Sequence, residues 1–348
     1  MKEEKSIMIG EYEVSSQNPC YIIAEIGINH NGKIDEAKKL IDVAIDAGAN
    51  AVKFQKRSLN DLYREDVLEN PNIESQGLEI LIEVLKEVEL KDEDIRELIQ
   101  YCKEKKITFL CTPWDIPSVE FLEQFDLPAY KVASADLTNF PLIDHMIKTG
   151  KPLIISTGMS NMDEIEKTVN FLEQNKSKFV LLHCNSTYPA PIETLNLDLI
   201  HVLKEKFQIP IGYSGHETGI TSTLAATIMG AEVIERHITL DKTMEGLDQA
   251  ASLEPNEFKK LIQNIREAEK AKGKPIKKMT RGEIMQKEVL GKSIIAKSDI
   301  DIGDTFTEDN LDTKGPAKGL SPQYYFEILG KKSKRKIQKY SYLQDDDL

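Results

Sequence analysis

The chain has no excess of basic residues, no Cys-x-x-Cys pair and no long apolar run, and each absence removes a class of function. Against 45 Lys and Arg stand 58 Asp and Glu, for a net charge of −13. Nucleic-acid binding is dominated by phosphate neutralisation, so this balance argues against a nucleic-acid partner. It also means that an anionic substrate would need its own local cluster of cations. The four cysteines, Cys20, Cys102, Cys111 and Cys184, form no metal-knuckle spacing and too sparse a set for a disulfide framework in 348 residues, so reduced thiols are expected. No run approaches the ~18 apolar residues of a membrane helix. The first residues, MKEEKSIMIGEYEV, hold no apolar stretch of signal-peptide length, and a cytoplasmic location is expected.

What is present is the texture of a globular protein, 40% hydrophobic and 30% charged, with room for one large domain or two. From residue 20 to about 272, short apolar runs alternate with amphipathic stretches. The expected strands are Tyr21–Gly27, Ala51–Phe54, Thr108–Thr112, Ala129–Val132, Leu153–Ser156, Phe179–His183, Ile209–Tyr213 and Val233–His237. Between them lie helical patterns such as Asp92–Lys105, Asn161–Asn175 and Asn256–Lys272, and a helix near residue 37 with Asp35 as its N-cap and Gly48 as its stop. Eight strands alternating with helices imply a parallel α/β sheet. A closed (β/α)8 barrel, which needs ~250 residues, fits best, and a doubly wound open sheet is the alternative. The expected boundaries are a barrel over 1–275, a polar linker over 276–285 and a small β-rich module over 286–348 punctuated by Gly and Pro. The basic run 331–339 and the acidic 345–347 read as solvated surface.

Polar residues gather at the ends of all eight strands. Glu25 closes the first, with Asn29 and His30 beyond it; Lys53 and Gln55 close the second and Thr112 the third. Lys131 and Ser134 follow the fourth, Ser156 and Thr157 the fifth, His183 and Asn185 the sixth. Ser214 and His216 end the seventh, Glu235 and His237 the eighth. A barrel enzyme works at the C-terminal ends of its strands, so this set marks a functional site. His216 and His237 end adjacent strands and could converge on one divalent ion acting as a Lewis acid. Lys53 and Lys131 supply the local positive charge for an anion, unless they pair with Glu25 or Glu235, or one of them serves as a Schiff-base nucleophile. The loop Gly212–Gly219 before a helix near Ile220 suits a phosphate. Cys184 alternates with His183 and Asn185 and is expected to face the helices as packing.

These residues resemble the sialic acid synthase family, the N-acetylneuraminate synthases and related nonulosonate synthases. The matching stretches are EIGINHNG at 25–32, VKFQKR at 52–57, STGM at 156–159, LHCNSTYPAP at 182–191, GYSGHETG at 212–219 and ERHITLDKTMEGLDQAASLEP at 235–255. The segment KSIIAKSDIDIGDTFTEDNL at 292–311 resembles the antifreeze-like SAF domain of these enzymes. The resemblance implies a TIM barrel followed by a SAF domain in a domain-swapped homodimer. It implies a transferase that joins C3 of phosphoenolpyruvate to the aldehyde carbon of an N-acyl-mannosamine-type aldose and releases phosphate, with Mn²⁺ or Mg²⁺ as cofactor. Carried over by position, His216 and His237 hold the metal. Phosphoenolpyruvate lies among Lys53, Thr112, Lys131, Ser134, Asn185 and Ser214. The sugar meets Glu25, Gln55, Tyr188 and Asp248, with Glu25 assigned to proton transfer. Three positions depart from the family. Asp136 stands where many members carry Glu, and Glu245-Gly246-Leu247 replaces a Trp-Gly-Ser. Gly315 stands where many have an Arg that reaches the partner's site, a contact expected to pass to Lys314 or Lys318. The resemblance leaves open legionaminic or pseudaminic acid precursors, or a 6-phosphorylated sugar, as acceptor.

Overall fold

Strands buried on both faces read as unbroken apolar runs, and β-branched residues in such runs pack well on a pleated surface. The run YIIAEIG, with every residue buried, is of this kind. The computed structural model describes residues 5–70 and 77–348. Its strands are β1 (Ile7–Ile9), β2 (Tyr12–Val14), β3 (Tyr21–Gly27), β4 (Ala51–Lys56), β5 (Thr108–Pro113), β6 (Tyr130–Val132), β7 (Leu153–Ser156), β8 (Phe179–Cys184), β9 (Ile211–Gly215), β10 (Val233–His237), β11 (Ser293–Ala296) and β12 (Leu311–Lys314). By contact the chain divides into two compact units, Met1–Gly273 and Lys274–Leu348.

In the first unit β3 to β10 form a closed barrel of parallel strands. Pairing of β10 with β3 from Val233↔Tyr21 to His237↔Glu25 closes the ring, which excludes the open-sheet alternative. Side chains alternate across each strand. On β3, Ile22, Ala24 and Ile26 point outward into the apolar layer beneath the helices, while Tyr21 and Ile23 point into the lumen. The lower lumen is filled by Tyr21, Ile23, Ala51, Leu110, Ala129, Ile154, Val180, Leu182 and Val233. The hairpin β1–β2, absent from the strands expected on sequence, adds Ile7, Ile9 and Val14 to this cluster and plugs the floor of the barrel.

The helices begin and end for local reasons. The helix Asp92–Lys105 has three acidic residues in its first turn and Lys103 and Lys105 in its last, matching the macrodipole at both ends. Asn161 caps the helix Met162–Gln174 through the Glu164 amide, and Glu164 returns the bond. The helix Ile34–Ala47 starts two residues earlier than expected. Lys33 is its N-cap and makes no side-chain bond, while Asp35 sits in the first turn, where its charge favours the dipole without capping. Gly48 ends it in the left-handed conformation at φ 88°.

In the second unit β11 pairs antiparallel with β12, and Ile294, Ile300, Phe306, Leu311, Ile328, Ile337 and Leu343 form its own core. Half of the expected linker is helical. Arg281–Leu290 is a helix capped by Thr280 and Glu283, a Ser/Thr-x-x-Glu box that the polar composition hid. The acidic end is not all solvated either: Asp347 is buried and paired with Arg335.

A candidate active site at the barrel mouth

Two residues above the apolar floor, the inward positions turn polar. On β3, Ile23 is followed inward by Glu25; on β4, Ala51 is followed by Lys53 and Gln55; on β10, Val233 is followed by Glu235 and His237. A cavity of about 230 Å³ opens here, lined by Glu25, Lys53, Thr112, Trp114, Lys131, Ser134, Ser156, Met159, Cys184, Ser186, Tyr188, Ser214, His216, Glu235 and His237, among others.

Four buried charges set its electrostatics. Lys53 Nζ lies 2.8 Å from Glu25 Oε2 and 3.8 Å from Glu235 Oε1, and donates to Thr112 Oγ1 at 3.0 Å. Lys53 therefore does pair with carboxylates, and the two of them outweigh its burial and raise its pKa. Burial pushes the Glu25 carboxyl up to about 7, against the opposing pull of Lys53. Glu235 is held below the usual range: burial acts to raise it, and Lys53 and Lys131 overcome that. Lys131 donates to the Val132 carbonyl at 2.8 Å, and its burial lowers its pKa. A lowered amine pKa is what a Schiff-base nucleophile needs.

The histidines converge. The His216 and His237 rings lie 5.4 Å apart, and Tyr188 Oη is 2.8 Å from His216 Nε2. His216 Nδ1 is 2.7 Å from the Asn185 carbonyl. A carbonyl can only accept, so Nδ1 carries a proton; burial acts to lower the His216 pKa, and Cys184 and the Asn185 carbonyl overcome it and raise it, so Nε2 has a lone pair to offer only in the neutral ring. His237 Nδ1 is buried with no hydrogen-bond partner, 3.7 Å from Asp248 Oδ2. Burial and His216 hold its pKa well below the usual range, so the imidazole is neutral, the form that ligates a metal. Among the described residues no cluster of three or more His, Cys, Asp or Glu is arranged for a metal. The two convergent imidazoles of His216 and His237 are the residues that would hold such an ion.

Outside the lumen, Arg236 and Glu217 hold β9 and β10 together. Both are fully buried; Arg236 Nη1 donates to Glu217 Oε1 at 2.9 Å and Nη2 to the Glu217 carbonyl at 2.6 Å. This pair stands directly behind the histidine-bearing residues of both strands. Gly212 and Gly215 lie in β9, where a Cβ would come within 2.4 Å of Leu182 and 2.6 Å of Glu217 Oε2. These two glycines serve close packing, while Gly219, just before the helix Thr221–Ile228, has a φ of 79° and open space around it.

Of the residues singled out on sequence, Glu25, Lys53, Thr112, Lys131, Ser134, Tyr188, Ser214, His216 and His237 line one cavity. Gln55 reaches it by donating to Glu25 Oε1 at 3.2 Å, and Asp248 by its approach to His237. Lys314 belongs to the second unit and pairs there with Asp312 at 3.5 Å. Two placements need correction. The Asn185 side chain turns away to Thr194 Oγ1 at 2.9 Å and the Thr187 amide at 3.0 Å. Asp136 is buried against Asn139 at 2.9 Å and does not line the cavity. The alternation on β8 is the reverse of that expected: Leu182 and Cys184 face the lumen, and His183 faces outward to the Leu195 carbonyl at 2.6 Å. Cys184 thus lies in the cavity, 3.8 Å from His216 Nδ1 and 3.5 Å from Ser134 Oγ. The run FVLLHC shows no polar alternation from which phase could be read. Pairing of Cys184 with the inward Ser214 decides it. Ser186 and Trp114, also in the cavity, were missed because each follows its strand on a loop.

Comparison with known proteins agrees with this arrangement. The sequence model of the NeuB family matches residues 40–277, and that of the SAF domain residues 291–348. The chain is 43% identical to N,N'-diacetyllegionaminic acid synthase of Campylobacter jejuni, over 89% of this chain and 94% of that protein. It is 41% identical to human N-acetylneuraminate-9-phosphate synthase, over 92% and 90%. Among solved structures it is similar to the N-acetylneuraminic acid (sialic acid) synthetase of Leptospira borgpetersenii in complex with citrate, with a TM-score of 0.73 and 34% identity over 81% of this chain and 95% of that one.

Proposed function

The chain belongs to the NeuB family, and from that premise we propose that it is a nonulosonate synthase, condensing phosphoenolpyruvate with an N-acyl-mannosamine-type aldose and releasing phosphate. The observation that carries this reading is one cavity in which two buried lysines and several hydroxyls face two convergent imidazoles, that of His237 held neutral. Lys53, Lys131 and the hydroxyls of Thr112, Ser134, Ser186 and Ser214 form a binding set for a small dianion. A new bond forms between C3 of phosphoenolpyruvate and the aldehyde carbon, whose oxygen ends as a hydroxyl. Water adds at C2 and the C2–O bond to phosphate breaks, leaving a 2-keto acid and inorganic phosphate.

His216 and His237 would hold the divalent ion, which when bound polarises the aldehyde as a Lewis acid. Glu25, with a pKa near neutrality, is assigned to proton transfer at the acceptor, because a group can give and take a proton best near its own pKa. Lys53 and Gln55 address its two oxygens and favour the ionised form against the larger effect of burial. The aldose lies against Gln55, Tyr188 and Asp248 in this proposal, with N-acetylmannosamine the first acceptor to try. A homodimer in which Lys314 of one chain serves its partner belongs to the same reading.

The test is phosphate release from phosphoenolpyruvate with a panel of N-acetylmannosamine, its 6-phosphate and diacetamido hexoses, scored also by the mass of the nine-carbon product. EDTA should stop the reaction and Mn²⁺ or Mg²⁺ restore it. A borohydride-trapped adduct of pyruvate on Lys131 would favour the Schiff-base aldolase reading instead.

A further inference from the structure

Gln55 is a proposed acceptor contact whose orientation is imposed by two neighbouring donors, Trp114 at the cavity wall and Arg57 behind it. A glutamine amide can present either its oxygen or its NH2 to a neighbour, and the rest of its surroundings decide which. Its carbonyl Oε1 is taken twice: Arg57 Nη2 donates to it, and Trp114 Nε1 donates to it at 3.2 Å. With the oxygen held, the NH2 is left to face Glu25 Oε1 at 3.2 Å.

The clamp is rigidly built. Arg57 is 3% exposed and sits 5.5 Å over the Trp114 ring, so the two donors also hold each other. Glu89 fixes Arg57 from behind, accepting its backbone N–H at 3.2 Å and lying 3.6 Å from Nη1. The Trp114 amide extends the β4–β5 pairing to the Lys56 carbonyl at 3.0 Å. Asp115 then ties the two loops together, accepting from the Ser58 amide at 2.6 Å and the Ser118 amide at 2.7 Å. So much fixed polar geometry around one amide has no evident purpose unless the direction of that amide matters.

We infer that Arg57 and Trp114 are positioning residues for the acceptor aldose, acting through Gln55, whose NH2 they aim at Glu25 and the sugar. The inference rests on the proposed function. It predicts a split between the two substrates, since the phosphoenolpyruvate contacts lie elsewhere in the cavity.

In full-length enzyme, Trp114→Phe removes one hydrogen bond to Gln55 and keeps a ring under the guanidinium. It should raise the KM for the aldose about threefold to tenfold, the worth of one hydrogen bond, with the KM for phosphoenolpyruvate within about twofold and thermal unfolding unchanged. Arg57→Met should raise the aldose KM further, and Arg57→Lys should recover part of it, because an ammonium restores the charge without the planar fork. Equal rises in both KM values, or an unaltered aldose KM in Trp114→Phe and Arg57→Met alike, overturn the inference. If the wild-type protein releases no phosphate with any aldose, the proposed function falls instead. Crystal structures of the Arg57→Met, Trp114→Phe double variant then decide the clamp by itself. Gln55 should leave Glu25 there, and an unmoved amide refutes the positioning role.

Discussion

The lower and upper halves of the barrel lumen are built from the same strands, often from residues two apart, yet they answer to different physics. Below, Ile23, Ala51, Leu110 and Val233 meet the hairpin residues Ile7 and Ile9 in an apolar plug. Above, Glu25, Lys53, Thr112 and Glu235 continue the same strands as a buried cluster of charges. Burying an apolar side chain stabilises a fold by roughly 1.5–3 kcal/mol. Burying an ion pair often contributes no net stability, while breaking one is costly. The contrast teaches that the floor holds the barrel together, and that the mouth is kept polar at a cost in stability which its chemistry requires.

Substitutions in the two halves should therefore separate stability from activity. The largest effect on turnover is expected at His237→Ala, a loss of at least about a thousandfold if the ion contributes several kcal/mol at roughly tenfold per 1.4 kcal/mol. Metal binding followed by calorimetry should weaken in step. Its counterpart on the floor, Ile23→Ala, should cost about 2–5 kcal/mol in denaturant unfolding and leave turnover per folded molecule nearly unaltered. Lost turnover in Ile23→Ala at full folding would erase the distinction.

Lys53→Ala breaks it from the other side, since this one residue belongs to both ledgers of the comparison. It strands Glu25 and Glu235 without their cation, so about 3–5 kcal/mol of stability should go together with phosphoenolpyruvate binding. An intact melting temperature would mean that the two carboxylates take up protons and do not need Lys53.

A smaller effect is expected with pH. Glu25 titrates near 7 when folded against an ordinary value of 4.5. The folded state therefore binds the proton more tightly, and between about pH 4.5 and 7 the unfolded state holds fewer protons. The Glu25 contribution to stability should accordingly fall as pH rises through that window, and Glu25→Gln should flatten the curve. Activity should run the opposite way, decreasing below about pH 7 as the ionised form is lost. Retention of that acid limb in residual Glu25→Gln activity would assign it to another group.

The smallest test concerns the phase of β8. Asn185→Ala, outside the cavity, should change the KM for phosphoenolpyruvate by less than about twofold, while Ser186→Ala should raise it severalfold through loss of a hydrogen bond to an anion. The reverse result would restore the alternation first expected from the sequence.

How far the site could be read in advance follows from these same residues. The i, i+2 pair Lys53 and Gln55 announced its shared face because the apolar Val52 and Phe54 alternate with it, whereas Glu235 and His237 are separated by the charged Arg236 and were placed by their spacing alone. The run Phe179–Cys184 announced no face, since a strand buried on both faces carries no amphipathic signal. Trp114 and Ser186 were hidden because loop side chains have no period.

By itself the sequence determined that eight strands alternate with helices, where most of them lie, and that their C-terminal ends carry the polar residues, because periodicity and local capping are properties of neighbours along the chain. The closure of β10 onto β3, the hairpin beneath the floor, the inward turn of Cys184 and the clamp on Gln55 were decided only in the tertiary structure. Each depends on a contact between segments distant in sequence, and hydrogen bonds such as Trp114 to Gln55 leave no trace in spacing or composition.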